Sequence, residues 1–355
     1  MAKDRLILHR VADFVSFHYN SSMRKILLCV IAAALLLAAC SNKVTAASGE
    51  YYALDTICTQ QVTGGDAQAA ADEVSAMLAR ITDEMSMNEG SDLYAINSAA
   101  PQSAQIAEET ADVLQKALEY AALTNGAFDP TIGPVSSLWD ISGTPRVPSA
   151  DEVAEAIKLV DYTGVTIDGT TVKLARQGMM LDFGGIGKGY AADLAAQIYE
   201  KHGVQTALLN LGGNVFVYGA KAGGSDYRIG LRDPNGADTD YFAIVSEKNT
   251  SVVTSGIYER YFESDGVVYH HLFNPETGYP TDNGLAGVTV VCQSSTKADA
   301  LSTALFVMGL EDGLAFAETL DDVEAAFITT DKKVYVTEGL KGNIEITNES
   351  YILQS

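Results

Sequence analysis

Read from the first tyrosine pair onward, the chain alternates between short stretches of strand-like and helix-like periodicity. Tyr51 to Val62 alternates as a strand does, and Gly64-Gly65 ends it. From Ala67 to Met85, Ala70, Val74, Met77, Leu78 and Ile81 fall on one face at helical spacing, which predicts a core-packed helix. A second helix is predicted over Ala107 to Thr124, with Val113, Leu114, Ala117, Leu118 and Ala121 inward and Asn125-Gly126 as its stop. The segment AFDPTIGPVSSLWD carries two prolines and reads as an ordered loop; Ser149 then caps a third helix running to Val160. Val165 to Ala175 reads as a hairpin around Asp168-Gly169. LDFGGIGKGYAADLA (181–195) reads as strand, glycine turn and helix, and ALLNLGGNVFVYG as a strand interrupted by Gly212-Gly213. Beyond Tyr227 come strands, one strong helix (Lys297 to Met308) and a closing strand region from Glu324 to Val336. Strands and helices mix without strict alternation, so an α+β fold of mixed, largely antiparallel sheets with packed helices is expected.

The N-terminus changes the picture of where such a domain resides. MRKILLCVIAAALLLAAC (23–40) has a basic start, an apolar core and small residues before a cysteine, which is how an export signal is written. Its apolar run of about fifteen residues is short for a bilayer span. Leu37-Ala38-Ala39-Cys40 resembles a bacterial lipobox, implying cleavage before Cys40 and acylation of its sulfur. Residues 1–39 are therefore expected to be an upstream extension plus lipoprotein signal peptide, with Met23 as the true start, 40–50 a tether and 51–355 the folded domain. The product would sit on the outer face of the bacterial cytoplasmic membrane, held by its lipid.

Charge narrows the partners. The formal net charge is −23, and the segment before Cys40 carries five basic and two acidic residues, which leaves −26 on the remainder. Nucleic acid and anionic lipid surfaces are poor partners for such a field, and an anionic substrate would need a local cation. With Cys29 in the signal and Cys40 lipidated, only Cys58 and Cys292 remain; they could pair outside the cell or stay as lone buried thiols, and no spacing suggests zinc.

The glycine stretch invites a nucleotide. A P-loop is excluded, because Asp182 and Gly189 stand where a glycine and a Ser/Thr are required. Gly187, Gly189 and Ala192 formally satisfy GxGxxA, but the acidic residue expected about 20 positions on is missing. In TKADALSTALFVMG (296–309), Asp299, Ser302 and Thr303 lie three and four apart, so one helix can turn all three toward one point. A carboxylate, hydroxyls and a main-chain carbonyl suit Mg²⁺ shared with substrate phosphates; the alternative is a threonine bonding back to its own helix beside a capping aspartate.

Six segments in one order, AFDPTIGPVSSLW, LDFGGIGKGYAADLA, LLNLGGNVFVYG, VVTSGIYERYF, HHLFNPETGYP and KADALSTALFVMG, resemble the ApbE-type FAD:protein FMN transferases from about Tyr51 to the C-terminus. That resemblance implies FAD as substrate, Mg²⁺ as cofactor, and transfer of FMN to a Thr or Ser hydroxyl of an exported or membrane acceptor protein with release of AMP. It implies metal ligation by the side chains of Asp299 and Thr303 and the main-chain carbonyls of Gly185 and Ser302. Leu54, Asn88, Ala127, Phe128, Asp129, Asp182, Lys188 and Phe273 match flavin-nucleotide contacts, and His271 matches the histidine that assists the acceptor hydroxyl. Members often carry an aromatic residue where Asn88 stands here. Looser shielding at that point would favour hydrolysis of FAD to FMN and AMP, so an FAD pyrophosphatase is one alternative and a non-catalytic flavin-binding lipoprotein another.

Overall fold

The computed structural model describes residues 45–221, 223–237 and 239–354. The signal segment, Met23 and Cys40 lie outside the described residues, so the expectations placed on them rest on sequence alone. Nine strands build the central sheet: β1 (Ala46–Ala53), β2 (Thr56–Thr63), β3 (Thr206–Leu211), β4 (Asn214–Tyr218), β5 (Thr250–Gly256), β6 (Leu285–Cys292), β7 (Val323–Thr329), β8 (Lys333–Val336) and β9 (Ile352–Leu353). Each is bonded to its neighbour in chain order, antiparallel throughout except for the final β8/β9 pair. The helices are α1 (Ala67–Glu84), α2 (Asp92–Ala99), α3 (Glu108–Leu123), α4 (Gly133–Trp139), α5 (Ala150–Ala156), α6 (Gly187–Lys201), α7 (Ser295–Met308) and α8 (Leu310–Ala317). The fold is α+β with largely antiparallel sheets, as the sequence predicts.

Burial explains the layering. β6 is buried at every residue because both its faces are covered. Val288, Val290 and Cys292 pack with Ala298, Leu301 and Leu305 of α7, while Ala286 and Val291 join a second core with the three-stranded sheet 227–232, 241–247 and 344–346. At the other end of the sheet, α1, α3 and α6 cover Ala53, Cys58, Val62 and Leu209, and the outer face of the β1/β2 hairpin leaves Tyr52 and Ile57 exposed. Cys58 and Cys292 are free buried thiols. Among the described residues no helix is long and apolar enough to cross a membrane.

Several elements differ from the sequence reading for identifiable reasons. Tyr51 to Val62 is a hairpin that turns at Leu54-Asp55, and β1 takes in the last residues of the expected tether, from Ala46. Gly212-Gly213 likewise turns the one expected strand into a hairpin of two; both glycines have left-handed φ, +61° and +95°, which a two-residue turn between antiparallel strands requires. The Pro-rich segment contains α4, since a proline in the first turn of a helix gives up no hydrogen bond, and Asp140 closes it in the left-handed region. The strand expected at Leu181 does not form beyond a single bridge between Ile132 and Met180. Its backbone is occupied elsewhere: Leu181 N–H donates to Asn97 Oδ1 at 2.7 Å, the Asn97 amide donates to Leu181 O at 3.0 Å, and Asp182 N–H donates to Pro130 O at 2.8 Å.

Candidate active site

The sheet register brings one set of strand ends together: the Leu54-Asp55 turn, the Gly212-Gly213 turn, the end of β5 at Gly256 and the start of β6. α6 and the middle of α7 lie against this end. Their contact depends on Gly189, where a Cβ would fall 2.2 Å from Ser295 O. The same close approach lets Gly189 N–H donate to Asp299 Oδ2 at 2.8 Å, which orients that carboxylate. Its other oxygen, Oδ1, lies 3.8 Å from Lys188 Nζ, and Lys188 also donates to Gly184 O at 3.3 Å. Asp299 is buried, 3% exposed, and Lys188 half-buried.

One helical turn on, Ser302 Oγ donates to the carbonyl of Asp299 at 2.9 Å and lies 2.8 Å from Ser255 Oγ of β5. Thr303 Oγ1 lies 3.3 Å from that same serine, and Gly185 faces it closely: a Cβ there would come within 3.3 Å of Thr303 Oγ1 and 3.2 Å of the Phe128 ring. Asp299, Ser302, Thr303, Gly185, Lys188 and Phe128 are thus brought together. Among the described residues no three His, Cys, Asp or Glu side chains gather in a metal-binding group. A cation here would have Asp299 as its carboxylate and would depend on neutral oxygens and on the substrate.

The N-terminus of α7 is fixed from α6. Asp193 accepts from Ser295 N–H (2.8 Å) on one oxygen, and on the other from Ser294 Oγ (2.9 Å), Thr296 N–H (3.0 Å) and Thr296 Oγ1 (2.6 Å). These bonds satisfy helix-end donors that would otherwise be orphaned, and they set the rotation of α7 that points Asp299 at Gly189.

The aspartates expected to meet the nucleotide divide. Asp182, half-buried, accepts from Ser136 Oγ at 2.6 Å and from Gly184 N–H at 2.7 Å, which shapes the glycine turn. Asp129 is buried and spends its carboxylate on Thr131 N–H (2.8 Å), Thr131 Oγ1 (2.6 Å) and Tyr162 N–H (3.1 Å), so its side chain builds the loop that presents Ala127 and Phe128. Burial raises its pKa against the pull of those donors.

On the hairpin side, the strands 261–264 and 267–270 lead into the two histidines, which point to different partners as strand alternation predicts. His270 is buried, its Nε2 3.2 Å from Thr281 O. His271 has Nδ1 3.2 Å from Arg260 O. A carbonyl can only accept, so Nδ1 carries the hydrogen and Nε2 keeps a free lone pair. Burial, with Arg260 and Lys188 nearby, pushes the imidazole down to about 3, so it is neutral at physiological pH. Glu259 stands beside the same cations. Burial lifts its carboxyl to about 7 despite Lys188 and Arg260, with Asp299 adding to the rise.

Three expected residues sit apart from this cluster or are engaged elsewhere. The Phe273 ring packs on Trp139 with centroids 6.0 Å apart, in a satellite core where Trp139 Nε1 donates to Gly278 O at 2.9 Å. Asn88 is exposed on the loop between α1 and α2, and its side chain makes no hydrogen bond among the described residues. Leu54 is at the tip of the first hairpin with a left-handed φ of 51°, its N–H donating to Thr82 Oγ1 at 3.0 Å.

Residues 54–327 match the model of the ApbE family, which is most of the chain. The chain belongs to the ApbE family. A FAD:protein FMN transferase from Treponema pallidum is 35% identical over 323 residues, covering 85% of this chain and 89% of that protein. The crystal structure of the ApbE protein from Thermotoga maritima superposes with a TM-score of 0.79 at 34% identity, covering 84% of this chain and 99% of that one. The apo flavinyl transferase ApbE of Pseudomonas stutzeri gives 0.74 at 32% identity, covering 85% and 96%. Asp193, Ser255 and Glu259 also lie at this cluster, and the sequence reading gave Asp193 and Glu259 no part in it. Asp193 is six residues past Gly187 in the helix that follows the glycine turn, and Glu259 and Arg260 are adjacent charges that follow Ile257-Tyr258 after a strand of small residues. Those are the local signals each carried.

Proposed function

We propose that this chain transfers the FMN half of FAD to a Thr or Ser hydroxyl of an acceptor protein and releases AMP, with Mg²⁺ as cofactor. The observation that carries the reading is the convergence of Asp299, Thr303 and the Gly185 turn on one point, with Lys188 and the free Nε2 of His271 nearby. The donor set fits the cation: one carboxylate, hydroxyls and carbonyls are hard oxygens, and a single negative side chain leaves coordination to be completed by phosphate and water. Asp299 and Thr303 side chains and the carbonyls of Gly185 and Ser302 would hold it. When bound, Mg²⁺ supplies charge neutralisation on the diphosphate.

In the transfer, the acceptor hydroxyl oxygen forms a bond to the phosphorus on the flavin side, the bond from that phosphorus to the bridging oxygen breaks, and AMP departs with that oxygen. His271 Nε2 takes the hydroxyl proton. Its low pKa in the absence of ligand keeps it unprotonated and ready, and the approach of an anionic diphosphate raises its proton affinity. Arg260 O, by accepting from Nδ1–H, holds the ring in that tautomer. Lys188, 3.8 Å from Asp299 Oδ1, adds a second positive charge for the diphosphate. Asn88 is exposed and non-aromatic, so it offers no ring to shield a bound flavin from water, which is why FAD hydrolysis is kept as a side reaction.

Incubation with FAD, Mg²⁺ and candidate FMN-binding acceptor proteins tests this, read by in-gel flavin fluorescence and AMP release. One labelled acceptor per AMP is expected. AMP without label would make the protein a pyrophosphatase, and flavin binding without either product would leave a binding protein. We further propose that Cys40 anchors the chain by a lipid to the outer face of the cytoplasmic membrane. The full chain should then partition into detergent and the Cys40→Ser variant into water; equal partitioning of the two rejects the anchor.

A further inference from the structure

Every aspartate of the site described above accepts hydrogen bonds from the fold: Asp129 from Thr131 and Tyr162, Asp182 from Ser136 and Gly184, Asp193 from the start of α7, and Asp299 from Gly189. Glu259 is the exception. Its main chain is fixed by a turn, with N–H donating to Gly256 O at 3.3 Å, but its carboxyl accepts no hydrogen bond and joins no close ion pair among the described residues. It is half-buried, with Lys188, Arg260 and Asp299 near enough to act on it electrostatically. The fold supplies this carboxyl with no donor, and its oxygens are left for water or a ligand to engage.

The carboxyl also faces a prepared space. Oε1 would lie 3.4 Å from a Cβ at Gly213, and no other atom comes within 4 Å of that position. The neighbouring Gly212 contrasts with this, because a Cβ there would strike Thr56. One glycine of the turn is needed for close packing within the fold; the other borders an opening lined by Glu259. In its ionised form the carboxyl can only accept and repels a phosphate; an alcohol hydroxyl brings no charge and can donate to the carboxyl in either protonation state.

We propose that Glu259 accepts a hydrogen bond from an alcohol hydroxyl of a substrate. The inference rests on the flavin-transfer reading. Two sources share this chemistry: the sugar hydroxyls of the flavin nucleotide, and the Thr or Ser hydroxyl of the acceptor. A sugar source makes Glu259 a specificity residue for the dinucleotide; an acceptor source makes it a positioning partner for the incoming nucleophile.

FMN and AMP, the two product halves, bind without turnover and serve as probes. Titrations in Mg²⁺ by FMN fluorescence and by calorimetry with AMP would compare wild type, Glu259→Gln and Glu259→Ala, alongside the rate of flavin transfer at saturating FAD. A sugar partner predicts a Kd for FMN or for AMP weakened roughly ten- to hundred-fold in Glu259→Ala. An acceptor partner predicts unchanged Kd values and a rise in the acceptor KM by a similar factor. Glu259→Gln, of the same shape and still able to accept, should lose less than Glu259→Ala and keeps the test open if the smaller side chain fails to fold. Both Kd values and the transfer parameters within twofold of wild type in every folded variant would overturn the proposal. Failure of the wild type to transfer flavin would count against the parent reading instead.

Discussion

The two halves of the site are built on opposite plans. On the helix side, Asp299, Asp182 and Asp193 have their oxygens oriented by backbone and hydroxyl donors before any ligand arrives. On the hairpin side, His271 keeps a free lone pair and Glu259 has no donor, and burial holds both away from their charged forms. The first half is prepared to receive fixed charge, in the way preorganised sites stabilise phosphoryl groups. The second is prepared to take up a proton or hydrogen bond that arrives with the substrate. Breaking each half should therefore give a different kind of defect.

The largest effect is expected on the helix side. Asp299→Ala should lower Mg²⁺-dependent flavin transfer by more than about a thousandfold, because it removes the carboxylate of the proposed cation site. It also leaves Gly189 N–H without its acceptor, which should cost about 1–3 kcal/mol in a denaturant melt. Flavin labelling near the wild-type rate would remove Asp299 from the chemistry. On the hairpin side, His271→Ala should slow transfer roughly 10²–10⁴-fold while the Kd for FMN stays close to wild type. An unchanged rate would show that no base acts at that position.

Asp193 connects the comparison to the scaffold. Asp193→Ala removes four hydrogen bonds at the start of α7 and should destabilise the protein by roughly 2–4 kcal/mol, with Asp193→Asn losing less. Mg²⁺ affinity should fall in parallel, since the rotation of α7 sets Asp299. Full Mg²⁺ affinity in a destabilised Asp193→Ala would separate the cap from the site.

How much of this was legible in the sequence follows from the range of the interactions. Asp299, Ser302 and Thr303 could be grouped because helical spacing is local and survives any tertiary arrangement. The antiparallel character of the sheet was legible in the unequal alternation of strands and helices. Glu259 was not, because its place against Gly213, 46 residues earlier in the chain, exists only once β4 and β5 pair in register. The missing strand at Leu181 was equally hidden: the Asn97 side chain that takes over its backbone comes from α2, 84 residues earlier. The two glycine-like turns at the sheet end looked unequal in sequence, yet both adopt left-handed backbone, one with glycines and one with Leu54 and Asp55.

The pH dependence of stability would sharpen the contrast between the halves. For His271, the folded pKa of about 3 lies below its ordinary value of 6.5, so the unfolded chain binds the proton more readily and stability falls as pH drops from 6.5 toward 3. For Glu259, the folded pKa of about 7 lies above 4.5, so the folded chain holds the proton more readily and stability falls as pH rises from 4.5 through 7. Melting temperatures of the ligand-free protein should show it. Relative to wild type, Glu259→Gln should gain most above pH 7, and His271→Gln should gain most near pH 4. Parallel curves for all three proteins would mean that neither group is held neutral by its surroundings.

The smallest effect is expected at the turn that sequence disguised. Leu54 and Asp55 have φ of 51° and 56°, values that cost little for glycine and more for a side chain with a Cβ. Asp55 is exposed, so replacing it removes no packing, and a glycine at the second position is the residue a two-residue turn of this hand favours. Asp55→Gly should therefore stabilise the protein by about 0.5–1 kcal/mol, part of the gain being offset by the greater freedom of glycine in the unfolded chain. In a domain of this size that is a rise of roughly 1–4 °C in Tm. A fall in Tm would mean that the Asp55 side chain contributes to the turn more than its backbone strain costs, and the conformation of Leu54 would then be sustained by its neighbour as well as by Thr82.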